Sequence, residues 1–291
     1  MAMRSSAVGV TLGGGLRSSG ESLAPKFWEN LFQNTRWYPS GSAKKHLSAE
    51  FIGSTMLHFL SAGALAQAAD ATNAGAGFAD HHGNGGGVVI AALGGGFAYA
   101  ALLYATAGGN GSGAKLNPAV STALFVARAI EGDVFAAELA AQFSGALVGF
   151  LLWTGCTPER FEEYAPALPY HLENYQDLGD LAGASLREAV LTFSLALTIL
   201  ATAVDVHNRA YTRPFSPLAG GLAVTVGILA RGVLCGGAMN PAAGFAAAVV
   251  RGNVINLWAY LLSTFSGAVL GAVLYRSVFL GGGTGTLQAG A

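Results

Sequence analysis

Two copies of the tripeptide Asn-Pro-Ala are the part of this sequence with the clearest capacity for chemistry. They are Asn117, Pro118, Ala119 and, 123 residues later, Asn240, Pro241, Ala242. Asparagine is a preferred cap of a helix N-terminus, and proline is favoured at the first helical position. A carboxamide in this place can also donate hydrogen bonds to the oxygen of a passing molecule. The two triplets therefore predict two helix starts that present polar donors.

Each triplet opens a short apolar segment, 117–127 or 240–250, which is followed by an arginine, Arg128 or Arg251. A helix of eleven residues is about 16 Å long, which is half of a hydrocarbon core about 30 Å thick. Neither segment can cross a bilayer alone. The terminal arginines suit the negative end of a helix dipole. The segments are therefore predicted to be half-helices that enter a membrane without spanning it.

The composition indicates that lipid is the solvent. Hydrophobic residues make up 52% of the 291 residues and charged residues only 11%, against roughly 25% charged in a typical soluble domain. The mean hydropathy is +0.47. A net charge of -1 gives no indication of nucleic-acid binding. Two cysteines, Cys156 and Cys235, form neither a disulfide framework nor a metal-ligand pattern, so no metal and no cofactor is predicted.

Six apolar segments are long enough to be membrane-spanning helices. They are 47–69, 88–107, 134–156, 186–204, 217–230 and 255–275. Lysine and arginine are concentrated in residues 1–46 and in the loop after the fourth span, which predicts that both termini are cytoplasmic. We expect a disordered tail over 1–46, a channel domain over 47–280 and a short tail over 281–291.

The predicted channel domain divides into two similar halves, about 47–156 and 184–280. Each half has three spans, a glutamate near the start of its first span (Glu50 or Glu188), and its triplet between the second and third spans. Three is odd, so the halves are inverted relative to each other. The half-helices then enter from opposite faces and meet near the midplane, where their positive dipole ends oppose cations. This predicts an all-α membrane protein with a pore for neutral polar molecules.

These features resemble the aquaporin, or major intrinsic protein, superfamily. The resemblance covers about residues 45–280 and is carried by "SGAKLNPAVS", "GGAMNPAAG", "AEFIG", "AAQFSGALVG" and "STFSGAVLGAVLY". It implies six helices plus two half-helices, one pore per subunit and a homotetramer. It also implies that Asn117 and Asn240 are the central pore donors, and that Glu50 and Glu188 are buried carboxylates that hold the loops carrying the triplets.

The resemblance further implies an outer constriction, or filter, of four residues. Counting from the triplets, the matching positions are Phe97, Ile228, Gly237 and Ala243. Ala243 stands where the family usually has an arginine, which predicts a wide apolar collar with one aromatic wall. Lys115 stands where the family often has histidine, and Cys235 is a candidate mercury-binding thiol.

The leading hypothesis is a passive channel for water and small neutral solutes such as glycerol, urea, ammonia or dissolved gas. A secondary transporter is also built from inverted repeats, but it would need ion-binding residues at the midplane, and the second and sixth spans contain no charged residue. An intramembrane enzyme would need a catalytic motif such as His-Glu-x-x-His, and the sequence contains none. The prediction is therefore a channel and not an enzyme, in an unspecified plasma or organelle membrane.

Overall fold

The computed structural model describes residues 42–73, 85–106, 113–157, 177–205, 208–230 and 237–279. These residues form nine α-helices and no strand. Most of the predicted N-terminal tail, the predicted C-terminal tail and Cys235 lie outside the described residues. The first helix begins at Ser42, so the last five residues assigned to the N-terminal tail are helical instead.

The nine helices match the six predicted spans, the two predicted half-helices and one short connecting helix. They are α1 (Ser42–Asn73), α2 (Gly85–Thr106), α3 (Pro118–Val126), α4 (Gly132–Cys156), α5 (Leu178–Ile199), α6 (Arg209–Thr212), α7 (Ser216–Ala230), α8 (Pro241–Arg251) and α9 (Leu257–Leu274). A π-helical turn extends α5 to Val204, and another extends α9 to Phe279. Helices α3 and α8 are the half-helices that follow the two triplets.

Five of the helical segments are long and apolar enough to cross a membrane. They are Gly86–Thr106, Gly132–Cys156, Leu178–Val204, Arg213–Ala230 and Leu257–Phe279. Helix α1 is the longest, at 32 residues. It is less apolar than these five because its apolar stretch also contains His58 and Gln67.

The two halves pack in the same way. Helix α1 packs against α4, and α5 packs against α9. Both contacts depend on a pair of glycines four residues apart, Gly145 with Gly149 in α4 and Gly267 with Gly271 in α9. A Cβ atom on Gly145 would clash with the carbonyl oxygen of the residue after Glu50, and one on Gly267 with that of the residue after Glu188. Helices packed in lipid use such small residues for close approach.

The half-helices interlock the two halves. Helix α3 of the first half packs against α9 of the second, and α8 of the second packs against α4 of the first. A left-handed residue follows the end of each half-helix, Arg128 (φ 61°) after α3 and Gly252 (φ 67°) after α8. The next amide then bonds back into the last turn, from Ala129 N to Leu124 O (2.8 Å) and from Asn253 N to Ala248 O (3.0 Å). This pattern satisfies helix-end carbonyls in an apolar setting.

Candidate functional site

Each triplet forms the helix start that its residue types predict. The Asn117 side chain accepts a hydrogen bond from Ala119 N (2.9 Å), and the Asn240 side chain accepts one from Ala242 N (3.1 Å). Both asparagines have extended backbone, and a proline occupies the start of each following helix. The caps therefore fix the direction of both carboxamides relative to the half-helices.

Each asparagine also donates to the opposite half of the chain. Asn117 Nδ2 donates to Met239 O (2.9 Å), and Asn240 Nδ2 donates to Leu116 O (3.1 Å). A carboxamide nitrogen carries two N–H groups, and among the described residues neither nitrogen has a second acceptor. One donor on each asparagine is thus left for an oxygen atom that passes between Asn117 and Asn240, the place that we call the junction. Because α3 and α8 are in contact, the two donors lie near each other.

The accepting carbonyls belong to residues in an uncommon backbone conformation. Leu116 (φ 56°) and Met239 (φ 50°) are both left-handed, and each immediately precedes its asparagine. A non-glycine residue in this region costs on the order of 1–3 kcal/mol and persists only where its surroundings enforce it. The same conformation at matching positions of both halves turns each carbonyl toward the opposite asparagine.

The two buried glutamates enforce this conformation. Glu50 accepts hydrogen bonds from Lys115 N (2.8 Å) and Leu116 N (2.9 Å). Glu188 accepts from Gly237 N (2.7 Å) and Met239 N (2.6 Å). Both glutamates are fully buried. A carboxylate that accepts from two successive or near-successive backbone amides can hold a loop that has no regular structure of its own.

A second buried carboxylate, which is not among the expected site residues, lies beside the first triplet. Glu138 of α4 is fully buried and accepts hydrogen bonds from the Lys115 ammonium and from Ser121 Oγ (2.7 Å). His46 Nε2 lies 2.9 Å from Glu138 Oε1 and 3.7 Å from Glu50 Oε1. A charged residue inside an apolar span is a signal of function in its own right, and this signal was available in the sequence at Glu138.

One potential metal-ligand atom from each of His46, Glu50 and Glu138 lies within 4.8 Å of the other two, which is close enough to hold a metal ion. The Lys115 ammonium, however, already bonds to Glu138 Oε1. Both oxygens of Glu50 accept backbone N–H groups. The cluster thus carries its own cation, and its geometry favours an internal ion-pair network over a metal site.

Three of the four expected filter residues belong to the second half of the chain. Ile228 of α7 packs against the buried cluster that contains Met239, two residues after Gly237. Gly237 has a φ of 60°, which favours glycine. Ala243 is half-buried in the first turn of α8.

The assignment of Phe97 disagrees with the structure. Its side chain is 54% exposed and lies on the outer face of α2 with Leu93 and Tyr104, which are also exposed. Gly95 faces inward instead, because a Cβ atom built on it would lie 3.0 Å from Ile228 Cδ1. Two residues along a helix correspond to a rotation of about 200°, so Phe97 points away from Ile228.

The structure describes only one of the two cysteines. Cys235, the candidate mercury site, lies outside the described residues. Cys156 is a free, exposed thiol at the C-terminal end of α4, remote in sequence from both triplets.

Comparison with known proteins identifies the family. The sequence model described as "Major intrinsic protein" matches residues 38–275. The chain is 32% identical to the probable aquaporin TIP2-1 of Oryza sativa subsp. japonica over 83% of this chain and 90% of that protein. It is 32% identical to the aquaporin TIP2-3 of Arabidopsis thaliana over 82% and 89%, respectively.

A solved structure, the aquaglyceroporin from Plasmodium falciparum, has the same fold, with a TM-score of 0.65 and 22% identity over 82% of this chain and 97% of that one. The predicted fold class, an all-α membrane protein of the aquaporin type, is confirmed. A secondary transporter is not favoured. The chain belongs to the major intrinsic protein family, whose members are passive membrane channels for water or small solutes and not enzymes.

Proposed function

We propose that this channel admits small neutral solutes larger than water, such as glycerol or urea, in addition to water. The observation that carries the proposal is the inward position of Gly95, while Phe97 faces outward. A Cβ atom built on Gly95 would lie 3.0 Å from Ile228 Cδ1, and the Phe97 side chain is 54% exposed. The outer filter is then Gly95, Ile228, Gly237 and Ala243. This set contains neither an aromatic ring nor a guanidinium group.

Such a filter has one bulky apolar wall and three small ones. A filter arginine would narrow the passage and repel cations, and Ala243 does neither. Selection against ions then falls on the asparagine junction, where two helix N-termini present positive dipole ends and only two free N–H groups. A hydroxyl or urea oxygen replaces a hydrogen bond to water with one to an asparagine, and the net free-energy change is only about 0.5–1.5 kcal/mol for each bond. An ion would lose its hydration shell there, and two amides do not replace that hydration.

The experiment compares two substitutions in one helix. Purified wild-type protein, Gly95→Leu and Phe97→Leu are reconstituted into liposomes, and glycerol, urea and osmotic water permeabilities are measured by stopped-flow light scattering. Gly95→Leu should lower the ratio of glycerol to water permeability about tenfold, equivalent to about 1.4 kcal/mol in the barrier. Phe97→Leu is the matched control and should leave the ratio unchanged. A ratio that responds to Phe97→Leu and not to Gly95→Leu would reject the assignment.

Ala243→Arg is a second arm of the same experiment. It restores the side chain that the family usually has after the second triplet, so the larger solutes should be restricted more than water. The small neighbours Gly95 and Gly237 leave room for the guanidinium group. If the wild-type channel passes water but no larger solute at all, the proposed solute range is wrong although the channel function stands.

We also propose that the working assembly is a homotetramer with cytoplasmic termini. The support for assembly is family membership together with the many large apolar side chains exposed on the outer faces of α1, α2, α7 and α9, which must meet lipid or another copy. The support for orientation is the concentration of lysine and arginine in residues 1–46. Cross-linking in native membranes tests the stoichiometry, with a dimer-only or monomer-only pattern as the contrary result. Protease digestion of sealed vesicles tests the sidedness.

A further inference from the structure

The charged cluster beside the first triplet has no counterpart in the second half. The repeated motifs "FSGALVG" and "FSGAVLG" align Glu138 of α4 with Tyr260 of α9, and the two triplets align Lys115 with Ala238. Aligning Glu50 with Glu188 sets His46 opposite Ala184. The second half therefore has alanine at the positions equivalent to His46 and Lys115, and tyrosine at the position equivalent to Glu138.

The second half shows that a triplet loop is held without such a cluster. Glu188 bonds to the amides of Gly237 and Met239. The Tyr260 hydroxyl, at the position equivalent to Glu138, donates to Asn240 O (2.8 Å). Met239 still adopts the same left-handed conformation as its counterpart Leu116. Holding the loop therefore does not explain why the first half places three more ionisable side chains, His46, Lys115 and Glu138, next to Glu50.

The position of Lys115 suggests what the cluster does. Lys115 lies two residues before Asn117, and the carbonyl of the intervening Leu116 accepts the hydrogen bond from Asn240. A lysine has a flexible four-carbon stem ending in a compact charge. A stem of that length, attached one residue from the junction, can carry its ammonium into the path of a permeating solute.

Glu138 restrains this ammonium. The Lys115 backbone is held on both sides of its Cα atom, because its N–H donates to Glu50 and its carbonyl oxygen accepts from the Tyr99 hydroxyl (2.8 Å). Only the side chain is free to turn, and its ammonium is bonded to Glu138 Oε1, leaving Lys115 13% exposed. Glu138 itself cannot swing toward solvent because Ser121 Oγ bonds its other oxygen.

We propose that Glu138 is a positioning residue that keeps the Lys115 ammonium out of the solute path at the first triplet. The restraint determines whether the mouth on this side of the junction is open to water or is occupied by a tethered cation. The inference rests on the channel function, but it is independent of the width of the outer filter. It also assigns the cluster a role that a metal ion would not fulfil, since the ammonium already neutralises Glu138.

The experiment measures osmotic water permeability of four reconstituted proteins: wild type, Glu138→Gln, Glu138→Gln with Lys115→Gln, and Glu131→Gln. The last removes an exposed carboxylate just before the same helix and is the matched control. Wild-type water flux separates this test from failure of the channel function itself. Folding and assembly of every variant are checked by size-exclusion chromatography and thermal unfolding.

Glu138→Gln should lower water permeability about tenfold, a rise of about 1.4 kcal/mol in the barrier, because the released ammonium enters the path. Removing the ammonium as well, in the double variant, should restore most of the flux. This rescue would not follow if Glu138 served only to stabilise the fold. Glu131→Gln should match the wild type.

Two results would overturn the inference. Wild-type flux in folded Glu138→Gln would mean that Lys115 needs no restraint, and equal loss in the single and double variants would mean that Glu138 does not act through Lys115. If Glu138→Gln does not fold, the pair Glu138→Tyr with and without Lys115→Ala, which introduces the residues of the second half, is judged by the same two criteria.

Discussion

Replacing Glu188 by glutamine tests how the loop of the second triplet is held. Glu188 is fully buried, and its two carboxylate oxygens accept from Gly237 N and Met239 N at 2.7 and 2.6 Å. Glutamine offers one oxygen in place of two, so one of these amides would face an NH₂ group. The left-handed conformation of Met239 would then lose one of the contacts that enforce it.

The loss of stability expected for Glu188→Gln can be estimated from these two hydrogen bonds. A hydrogen bond to a charged acceptor contributes about 1.5–3 kcal/mol, and a buried donor left without an acceptor costs about 1–3 kcal/mol. Because only one of the two amides loses its acceptor, we expect Glu188→Gln to lower the free energy of unfolding by about 1.5–3 kcal/mol. The displaced Asn240 cap should also reduce water permeability in the protein that remains folded.

The assay is denaturant-induced unfolding in mild detergent micelles, with Thr192→Val as the matched control. Thr192 is buried one turn from Glu188, and its hydroxyl donates to the Glu188 carbonyl at 2.8 Å. Its removal should cost about 1 kcal/mol. If Glu188→Gln is no more destabilising than Thr192→Val, the carboxylate is not what holds the loop.

Two further predictions concern the junction and its approach. Replacing Asn117 or Asn240 by leucine should abolish osmotic water flux in folded protein, because each substitution removes a free N–H donor and fills the junction with an apolar side chain; unaltered flux in liposomes would contradict the pore assignment. Mercury should inhibit water permeability through Cys235, so Cys235→Ser should relieve the inhibition and Cys156→Ser should not, with the opposite pattern excluding Cys235 as the site.

The features that could be predicted from the sequence depend on local chemistry. The half-helices α3 and α8 begin where Asn-Pro requires them to, because the cap and the first helical residue are adjacent in the chain. Their ends lie within one residue of the predicted segment ends, since each is set by a residue just beyond the apolar run. The inverted pairing of Glu50 with Glu188 could likewise be inferred from position within each half.

The filter position on α2 could not be predicted in this way. The prediction of Phe97 counts back from Asn117 along the sequence, and this count is valid only if the number of residues between the second span and the triplet is fixed. An error of two residues turns a side chain to the opposite face of a helix, which is the difference between Phe97 and Gly95. Glycine adds a second difficulty, because a position that functions by lacking a side chain has no chemical signature in the sequence.

The exchange of hydrogen bonds between the two triplets also has a consequence for how the chain matures. Asn117 bonds to a residue 122 positions later, and Asn240 to one 124 positions earlier. When the first half has emerged from the ribosome, the Leu116 carbonyl and one donor of Asn117 have no partners, and a lipid environment makes that costly. These long-range contacts close only after the second half is inserted, and contacts of such sequence separation are slow to form. Neither half is a finished unit, because each lacks a hydrogen-bond acceptor that the other half supplies.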